Sequence, residues 1–168
     1  YFGKDVVVLD GNLTTPNVGI HLGSPEVPVN LNHVLANKAE MFEAVYEHDS
    51  GIKIIPSSLS LKELKKIKPE KLKNFKKDLS KISEIVIVDS AAGLGNEATS
   101  AFELADELII VTNPEIPAIT DALKAVKLAE ELLAAYSREG TAFKKKQTTK
   151  SASDPEKTKY DEDGNERN

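Results

Sequence analysis

The chain has 168 residues, which is enough for one domain with its own hydrophobic core. Cys is absent, so disulfides and thiolate metal sites are excluded, and this absence fits a reducing, cytoplasmic environment. The formal net charge is -5, an acidic balance that gives no strong nucleic-acid signal. No apolar run approaches the roughly 18 residues that a transmembrane segment needs.

Four short aliphatic runs predict β-strands. In chain order they occupy residues 6–9, 52–56, 85–88 and 108–111. Continuous runs of Val, Ile and Leu are typical of strands buried on both faces of a parallel sheet. We therefore expect these four strands to form one mainly parallel sheet.

The segments between these runs carry apolar residues at helical spacing. They predict helices over residues 60–66, 69–82, 96–104 and 116–136, with Gly140 as the stop signal of the last one. Strands that alternate with helices predict an α/β fold, in three layers, with a mainly parallel sheet flanked by helices.

The composition changes after Gly140. Residues 141–168 are rich in Lys, Thr, Ser, Asp and Glu and contain almost no aliphatic side chains. Such a segment buries too little apolar surface to offset the entropy lost on ordering. We predict a folded domain over residues 1–140 and a disordered polar tail over residues 141–168.

Polar residues follow three of the predicted strands. Asp10, Asp89 and Asn113 stand there, and ligands of open α/β sheets bind at the carboxyl ends of the strands. A carboxylate at this edge suits Mg²⁺ and its waters, and Gly93 would let a backbone amide approach a phosphate. Each pattern also fits an ordinary structural role: a turn after Asp10, a turn at Gly93, and a helix cap at Asn113.

Two other kinds of site are less favoured. Receiver domains also place Asp at successive strand ends, but about 30–50 residues apart, the length of one or two βαβ units; here 79 positions separate Asp10 from Asp89. The histidines His21, His33 and His48 show no i, i+4 pairing, so we expect them to be solvated or locally hydrogen-bonded rather than metal ligands.

A lysine-rich stretch lies in the middle of the chain. Its members are Lys62, Lys65, Lys66, Lys68, Lys71, Lys73, Lys76, Lys77 and Lys81. The pattern is typical of the solvated outer face of helices that cover a sheet. Peripheral membrane contact, or contact with an acidic partner, is the less favoured alternative.

Three segments, in this order, resemble the MinD/ParA family of deviant P-loop ATPases. VVVLDGNLTTPNVGIHLG resembles the switch I region of the family, and IVIVDSAAGLGNEA resembles its switch II region. IIVTNPEIPAITDALKAVKLAEEL is similar to the strand, loop and helix that follow in MinD-like members. The resemblance covers about residues 1–135.

The resemblance implies a role for each polar residue at the strand ends. Asp10 would lie in the metal-water shell, and Asn12 would occupy the switch I position that helps to orient the attacking water. Asp89 would be the Walker B residue that orders Mg²⁺. Gly93 would sense the γ-phosphate, while Asn113 and Glu115 would lie near the nucleotide or the partner subunit.

The resemblance also implies ATP and Mg²⁺ as cofactors, a family homodimer and an unidentified protein partner. It predicts an ATP-dependent dimerisation switch used for intracellular positioning or partitioning. The chain departs from the family at two site positions: Asn12 stands where an Asp is usual, and Ala91 replaces a Pro. Because Asn12 cannot act as a base, water activation would be slow.

The first strand of the family and its phosphate-binding loop, G-x-x-x-x-G-K-S/T, have no counterpart here. Gly3-Lys4 is not that loop, because it precedes a strand and Asp5 follows it. The chain also starts at Tyr1 and not at Met, so we expect a truncated domain that is inactive as an isolated chain. The alternative is a degenerate, non-catalytic interaction module of the same fold.

Overall fold

A computed structural model of the chain describes residues 3–23 and 26–151. The described residues fall into two units that meet in sequence between Val126 and Lys127. The first unit contains the whole sheet and every residue of the candidate site.

The sheet has four strands: β1 (Val6–Asp10), β2 (Tyr46–Glu47), β3 (Lys53–Ile55) and β4 (Ile85–Asp89), in the order β2-β3-β1-β4. β1 is central and parallel to both β3 and β4, whereas the short β2 pairs antiparallel with β3. This arrangement confirms the predicted α/β class with a mainly parallel sheet flanked by helices. It also confirms the three predicted strands that became β1, β3 and β4.

The helices are α1 (Val18–His21), α2 (Leu31–Leu35), α3 (Leu61–Leu64), α4 (Lys76–Ile82), α5 (Asn96–Leu104) and α6 (Ile116–Ser151). Two 3₁₀ helices, Met41–Ala44 and Pro69–Phe75, complete the described elements. The helix predicted over residues 96–104 is confirmed as α5. The helix predicted over residues 69–82 is split, because Pro69 begins a 3₁₀ helix and regular α-helix starts only at Lys76.

The core lies between the sheet and the helices that follow β1 and β3. Alternate residues of the central strand, Val7 and Leu9, are fully buried and point into it. The other buried members come from β3 and from the loops and helices: Leu13, Leu31, Val34, Leu35, Met41, Ala44, Ile55, Leu72, Leu79 and Leu104. The 3₁₀ helix Pro69–Phe75 packs directly against α5 and positions that helix beside the site.

The predicted strand over residues 108–111 is wrong, because this segment forms no strand. Ile109 and Val111 are each 90% exposed, and no strand of the described sheet reaches them. A strand satisfies its backbone groups through a neighbour, and the described part of the chain offers none at this place.

β4 is an edge of the sheet, although its sequence is typical of a buried strand. Val86 and Val88 pack on the core, but Ile85 and Ile87 on the opposite face are 43% and 51% exposed. Within the described residues, only β1 pairs with β4. One edge and one face of a parallel strand therefore stay uncovered, which is unusual for this class of sheet.

α6 continues from Ile116 to Ser151, so the helix end predicted at Gly140 is wrong. A single Gly inside a helix costs only about 1 kcal/mol relative to Ala. The division at residue 140 into a domain and a disordered tail stays a prediction, and residues 152–168 of that tail lie outside the described part. Among the described helices, none combines the length and the apolar character that crossing a bilayer requires.

Candidate functional site

The site is built where β1 and β4 end side by side. Asp10 and Asp89 are direct neighbours in the parallel register, so both strand-end carboxylates predicted from the sequence meet at one edge. The Gly11 amide extends the ladder by donating to the Asp89 carbonyl oxygen at 2.8 Å. This hydrogen bond joins the loop after β1 to the end of β4.

Gly11 allows this close approach. A Cβ at position 11 would stand 3.0 Å from the Asp89 carbonyl oxygen and 3.1 Å from Cγ1 of Val88, tighter than ordinary contacts. Sequence reasoning missed this requirement, although a glycine directly after a strand-end Asp is a signal that could have indicated it.

The Asp10 carboxylate organises the loop that follows it, residues 11–17, which we call the β1–α1 loop. The side chain is fully buried, and it accepts backbone amide hydrogens from Asn12 at 3.2 Å and from Asn17 and Val18 at 3.1 Å each. The Asp10 carbonyl in turn accepts from the Ser57 hydroxyl at 2.7 Å. The two ends of the loop are therefore tied to one buried carboxylate.

The buried position of Asp10 changes its acidity. Burial is the main cause that raises its pKa from 3.8 to about 6, and the nearby charge of Asp89 raises it further. The three amide hydrogen bonds act in the opposite direction, because they stabilise the ionised carboxylate. A divalent cation between the two carboxylates would offset the cost of keeping both ionised.

The carboxylate oxygens of Asp10 and Asp89 at this edge are of the ligand type that Mg²⁺ prefers. Within the described ranges no group of three or more His, Cys, Asp or Glu residues is placed to hold a metal ion. Mg²⁺ is commonly held by one or two carboxylates together with water and substrate phosphates, so the Asp89 carboxylate, with the negative charge of Asp10 beside it, suffices on the protein side. Asp89 is exposed and would reach a ligand directly, whereas Asp10 is already occupied by amides.

Asn12 is half-buried and is used inside the β1–α1 loop. Its Oδ1 atom accepts from both the amide and the hydroxyl of Thr15, at 3.2 and 3.1 Å. This is an Asx-type arrangement that closes the turn. The amide oxygen of Asn12 is consequently engaged within its own loop.

The loop from Ser90 to Gly95 forms the other wall. Gly93 is exposed and has φ +86°, a conformation that favours glycine, so Gly93 serves as a turn residue in this loop. An open cleft of about 410 Å³ separates the two loops. It is lined by Asn12, Thr14, Thr15, Pro69, Ala91, Ala92, Gly95, Asn96, Glu97 and Ala98.

One contact joins the β1–α1 loop to α5 across this cleft. The Thr14 hydroxyl donates to Oε1 of Glu97 at 2.5 Å, and the Thr14 amide donates to Oε2 at 3.2 Å. Sequence reasoning missed both residues, since nothing in the chain links two polar positions that are 83 residues apart.

Asn113 and Glu115 are not brought into this group. Both are exposed, and in the described part of the chain neither side chain has a hydrogen bond to Asp10, Asn12 or Asp89. Their predicted place near a nucleotide or a partner subunit therefore stays a prediction.

The lysine-rich stretch and the histidines have local partners. Lys73 pairs with Glu103 at 3.0 Å and Lys76 with Asp106 at 2.7 Å, so part of the stretch fastens helices to their neighbours. His33 closes a capping box, because its Nδ1 atom accepts the backbone amide hydrogen of Asn30. The expectation of locally hydrogen-bonded histidines holds for this residue.

The sequence is similar to those of ATP-binding proteins. The chain is 43% identical to an uncharacterised ATP-binding protein of Methanocaldococcus jannaschii, over 78% of this chain and 50% of that protein. It is 30% identical to the septum site-determining protein MinD of Thermotoga maritima, over 76% and 48% of the two chains. The chain therefore spans about half the length of these curated relatives.

A solved structure agrees with these relatives. The septum site-determining protein MinD of Pyrococcus horikoshii, complexed with Mg-ADP, matches with a TM-score of 0.73 and 33% identity. The match covers 77% of this chain and 54% of that one. A search against protein-family models gave no match.

Proposed function

Since the chain belongs to the MinD/ParA family of ATP-binding proteins, we propose that it is the switch-bearing part of an ATPase domain. Binding of ATP would drive homodimerisation, and hydrolysis would reset it, in the service of intracellular positioning or partitioning. The observation that carries this proposal is the register of β1 and β4, which sets Asp10 beside Asp89 at the carboxyl edge of the sheet. We further propose that the domain acts in the cytoplasm with a protein partner.

In this proposal each strand-end residue has a limited task. Asp89, which is exposed, would hold Mg²⁺ or its waters, and Mg²⁺ would supply charge neutralisation for the phosphates. Asp10 would act through its negative charge and by fixing the β1–α1 loop. Gly93 would present a backbone amide to the γ-phosphate, while Asn113 and Glu115 would contact the nucleotide or the second subunit.

The 168 residues by themselves are proposed to be inactive. Backbone amides and a lysine of the phosphate-binding loop carry most of the phosphate contact in P-loop proteins, and these residues include no such loop. The uncovered edge of β4 supports the same proposal, because the neighbouring strand is missing from the described sheet.

A non-catalytic interaction module of the same fold is the second candidate. The observation that favours it is Asn12, whose amide oxygen is engaged with Thr15 and which has no basic group. In such a module the loops would keep their shape without activating water.

Calorimetric titration of Mg-ATP separates the proposals. We expect no saturable binding to the 168-residue chain below ~1 mM, because the phosphate cradle is missing. A chimera should be tested beside it, in which the part of the M. jannaschii relative that lies outside the match is fused to this chain.

The ATPase proposal predicts micromolar Mg-ATP binding and measurable hydrolysis by the chimera. Asp89→Asn should weaken Mg-dependent binding, whereas Asp49→Asn, at an exposed carboxylate with no place in the site, should not. Binding of Mg-ATP by the chimera without any hydrolysis would favour the interaction module. Micromolar binding by the 168-residue chain alone would refute the proposal that the phosphate-binding loop is needed for nucleotide binding.

A further inference from the structure

Glu97 stands at the start of α5 with its half-buried carboxylate turned across the cleft. Both of its oxygens accept hydrogen bonds, and both bonds come from Thr14. A carboxylate that receives a hydroxyl and an amide of the same residue fixes the backbone as well as the side chain of its partner. Hydrogen bonds to a charged acceptor are also stronger than neutral ones.

The helix that carries Glu97 is itself held firmly. Ala98, Ala101 and Leu104 of α5 are buried, and Asn96 donates to Oε1 of Glu70 at 2.8 Å. Glu103 of α5 also pairs with a lysine of the 3₁₀ helix Pro69–Phe75. Glu97 is therefore mounted on a fixed element.

Thr14 occupies the middle of the β1–α1 loop, away from the points where the loop is tied down. The Asp10 carboxylate holds the loop next to β1, at Asn12, and again where α1 begins, at Val18. Thr14 is exposed, and its amide and hydroxyl donate to α5 instead of to β1. Within the described residues, its two bonds to Glu97 are the hydrogen bonds that fasten this part of the loop to α5.

We infer that Glu97 is a positioning residue that clamps the β1–α1 loop to α5, so that this wall of the cleft is held in place against a fixed helix. The clamp exists without any ligand. Its consequence rests on the proposed function: a phosphate-bearing ligand would meet the β1–α1 loop already in place beside α5. Glu97 is assigned no contact with the ligand or with the reacting atoms.

Amide hydrogen exchange of the 168-residue chain, without nucleotide, tests the clamp. Glu97→Ala should raise the exchange rate of the Thr14 amide by about tenfold or more, because that amide loses its acceptor. Glu97→Gln keeps one acceptor oxygen and should give an intermediate rate. Amides inside α5, such as those of Ala101 and Leu104, should exchange as in the parent chain.

Asn96→Ala is the matched control, since it removes the neighbouring bond to Glu70 and leaves Thr14 and Glu97 intact. It should leave the Thr14 amide within about twofold of the parent rate. The inference is overturned if Glu97→Ala leaves the Thr14 amide within that range, if Asn96→Ala accelerates it equally, or if the α5 amides accelerate with it. Failure of ATP binding in the chimera would leave these rates unaffected.

Thr14→Val gives a second, independent measurement. This change removes the hydroxyl and preserves the backbone amide, so Glu97→Ala should cost less stability when it is combined with Thr14→Val than in the parent chain. Equal costs in the two backgrounds would show that the two side chains are not coupled and would contradict the clamp.

Discussion

Asp10 is the residue on which the site depends most. The sequence pattern indicates a carboxylate at a strand end, and the structure adds that this residue lies opposite Asp89 in the parallel register. Its hydrogen bonds to the amides of Asn17 and Val18 were beyond prediction, because they depend on the path that the β1–α1 loop takes back to the strand. The residue therefore has a structural task in addition to its proposed task towards Mg²⁺.

The raised pKa of Asp10 predicts a stability that falls as the pH rises. Below pH 3.8 the group is protonated in both states; between pH 3.8 and about 6 the folded chain retains a proton that the unfolded chain has lost. The free energy of unfolding contributed by Asp10 should therefore decline by about 3 kcal/mol across this window and stay level above it. Urea unfolding at pH 4 and pH 7 measures the decline.

Asp10→Asn isolates this contribution, because the asparagine side chain of the variant does not titrate. As the pH rises from 4 to 7, the unfolding free energy of the parent should therefore fall relative to that of Asp10→Asn. Asp49→Asn, at an exposed position, should track the parent at both pH values. If the difference in unfolding free energy between the parent and Asp10→Asn did not change with pH, the raised pKa of Asp10 would be contradicted.

Gly11→Ala tests the close approach of the two strand ends. The added methyl group would press on the Asp89 carbonyl, and backbone cannot move aside as a flexible side chain does. We expect a loss of about 1–3 kcal/mol in unfolding free energy. Gly51→Ala is no suitable control, because Gly51 has a positive φ; Gly95→Ala, where a Cβ meets open space, should cost less than Gly11→Ala.

At the scale of elements, the apolar runs predicted the three parallel strands β1, β3 and β4, missed the short β2, and wrongly predicted a strand over residues 108–111. Residues 85–88 and 108–111 have equally aliphatic patterns, yet only the first lies beside a strand that can pair with it. The pattern reports suitability for a sheet, whereas pairing depends on a neighbour elsewhere in the chain. The helix over residues 69–82 was found as two pieces for a related reason, since its apolar spacing does not distinguish a 3₁₀ helix from an α-helix.

The 3₁₀ helix Pro69–Phe75 should be important for stability because it supports α5. Leu72 is 1% exposed and belongs to the core, so Leu72→Ala should lower the unfolding free energy by about 2–5 kcal/mol. Leu61, at 71% exposure, provides the matched control, and Leu61→Ala should change stability by less than about 0.5 kcal/mol. Equal losses for the two variants would show that this helix does not pack as described.

At the scale of the whole molecule, the edge and face of β4 that the described residues leave uncovered determine how the chain is expected to associate. Ile85 and Ile87 expose apolar surface beside backbone groups that no strand of the described residues pairs with, and such an edge is a template for pairing with another chain. We expect the 168-residue chain to self-associate as its concentration rises. Sedimentation velocity should show this, and Ile87→Lys should reduce it, whereas Ile20→Lys, at a 54% exposed residue far along the chain from β4, should not.

The fold class followed from the alternation of strands and helices, and the family followed from three ordered motifs. What the sequence could not indicate is how the loops engage one another: the clamp between Thr14 and Glu97 spans 83 positions. It also could not show that Asn12 is turned into its own loop. These features arise from the folded path of the chain and not from any local pattern.

We propose that Asp10 and Asp89 form the protein side of a metal–nucleotide site. Mn²⁺, which shares the preference of Mg²⁺ for oxygen ligands, reports on it directly in the chimera with ADP. We expect paramagnetic broadening of the amide signals to centre on residues 10–12 and 89–93 and to be lost in Asp89→Asn. Broadening centred elsewhere, or broadening that survives Asp89→Asn unchanged, would contradict it.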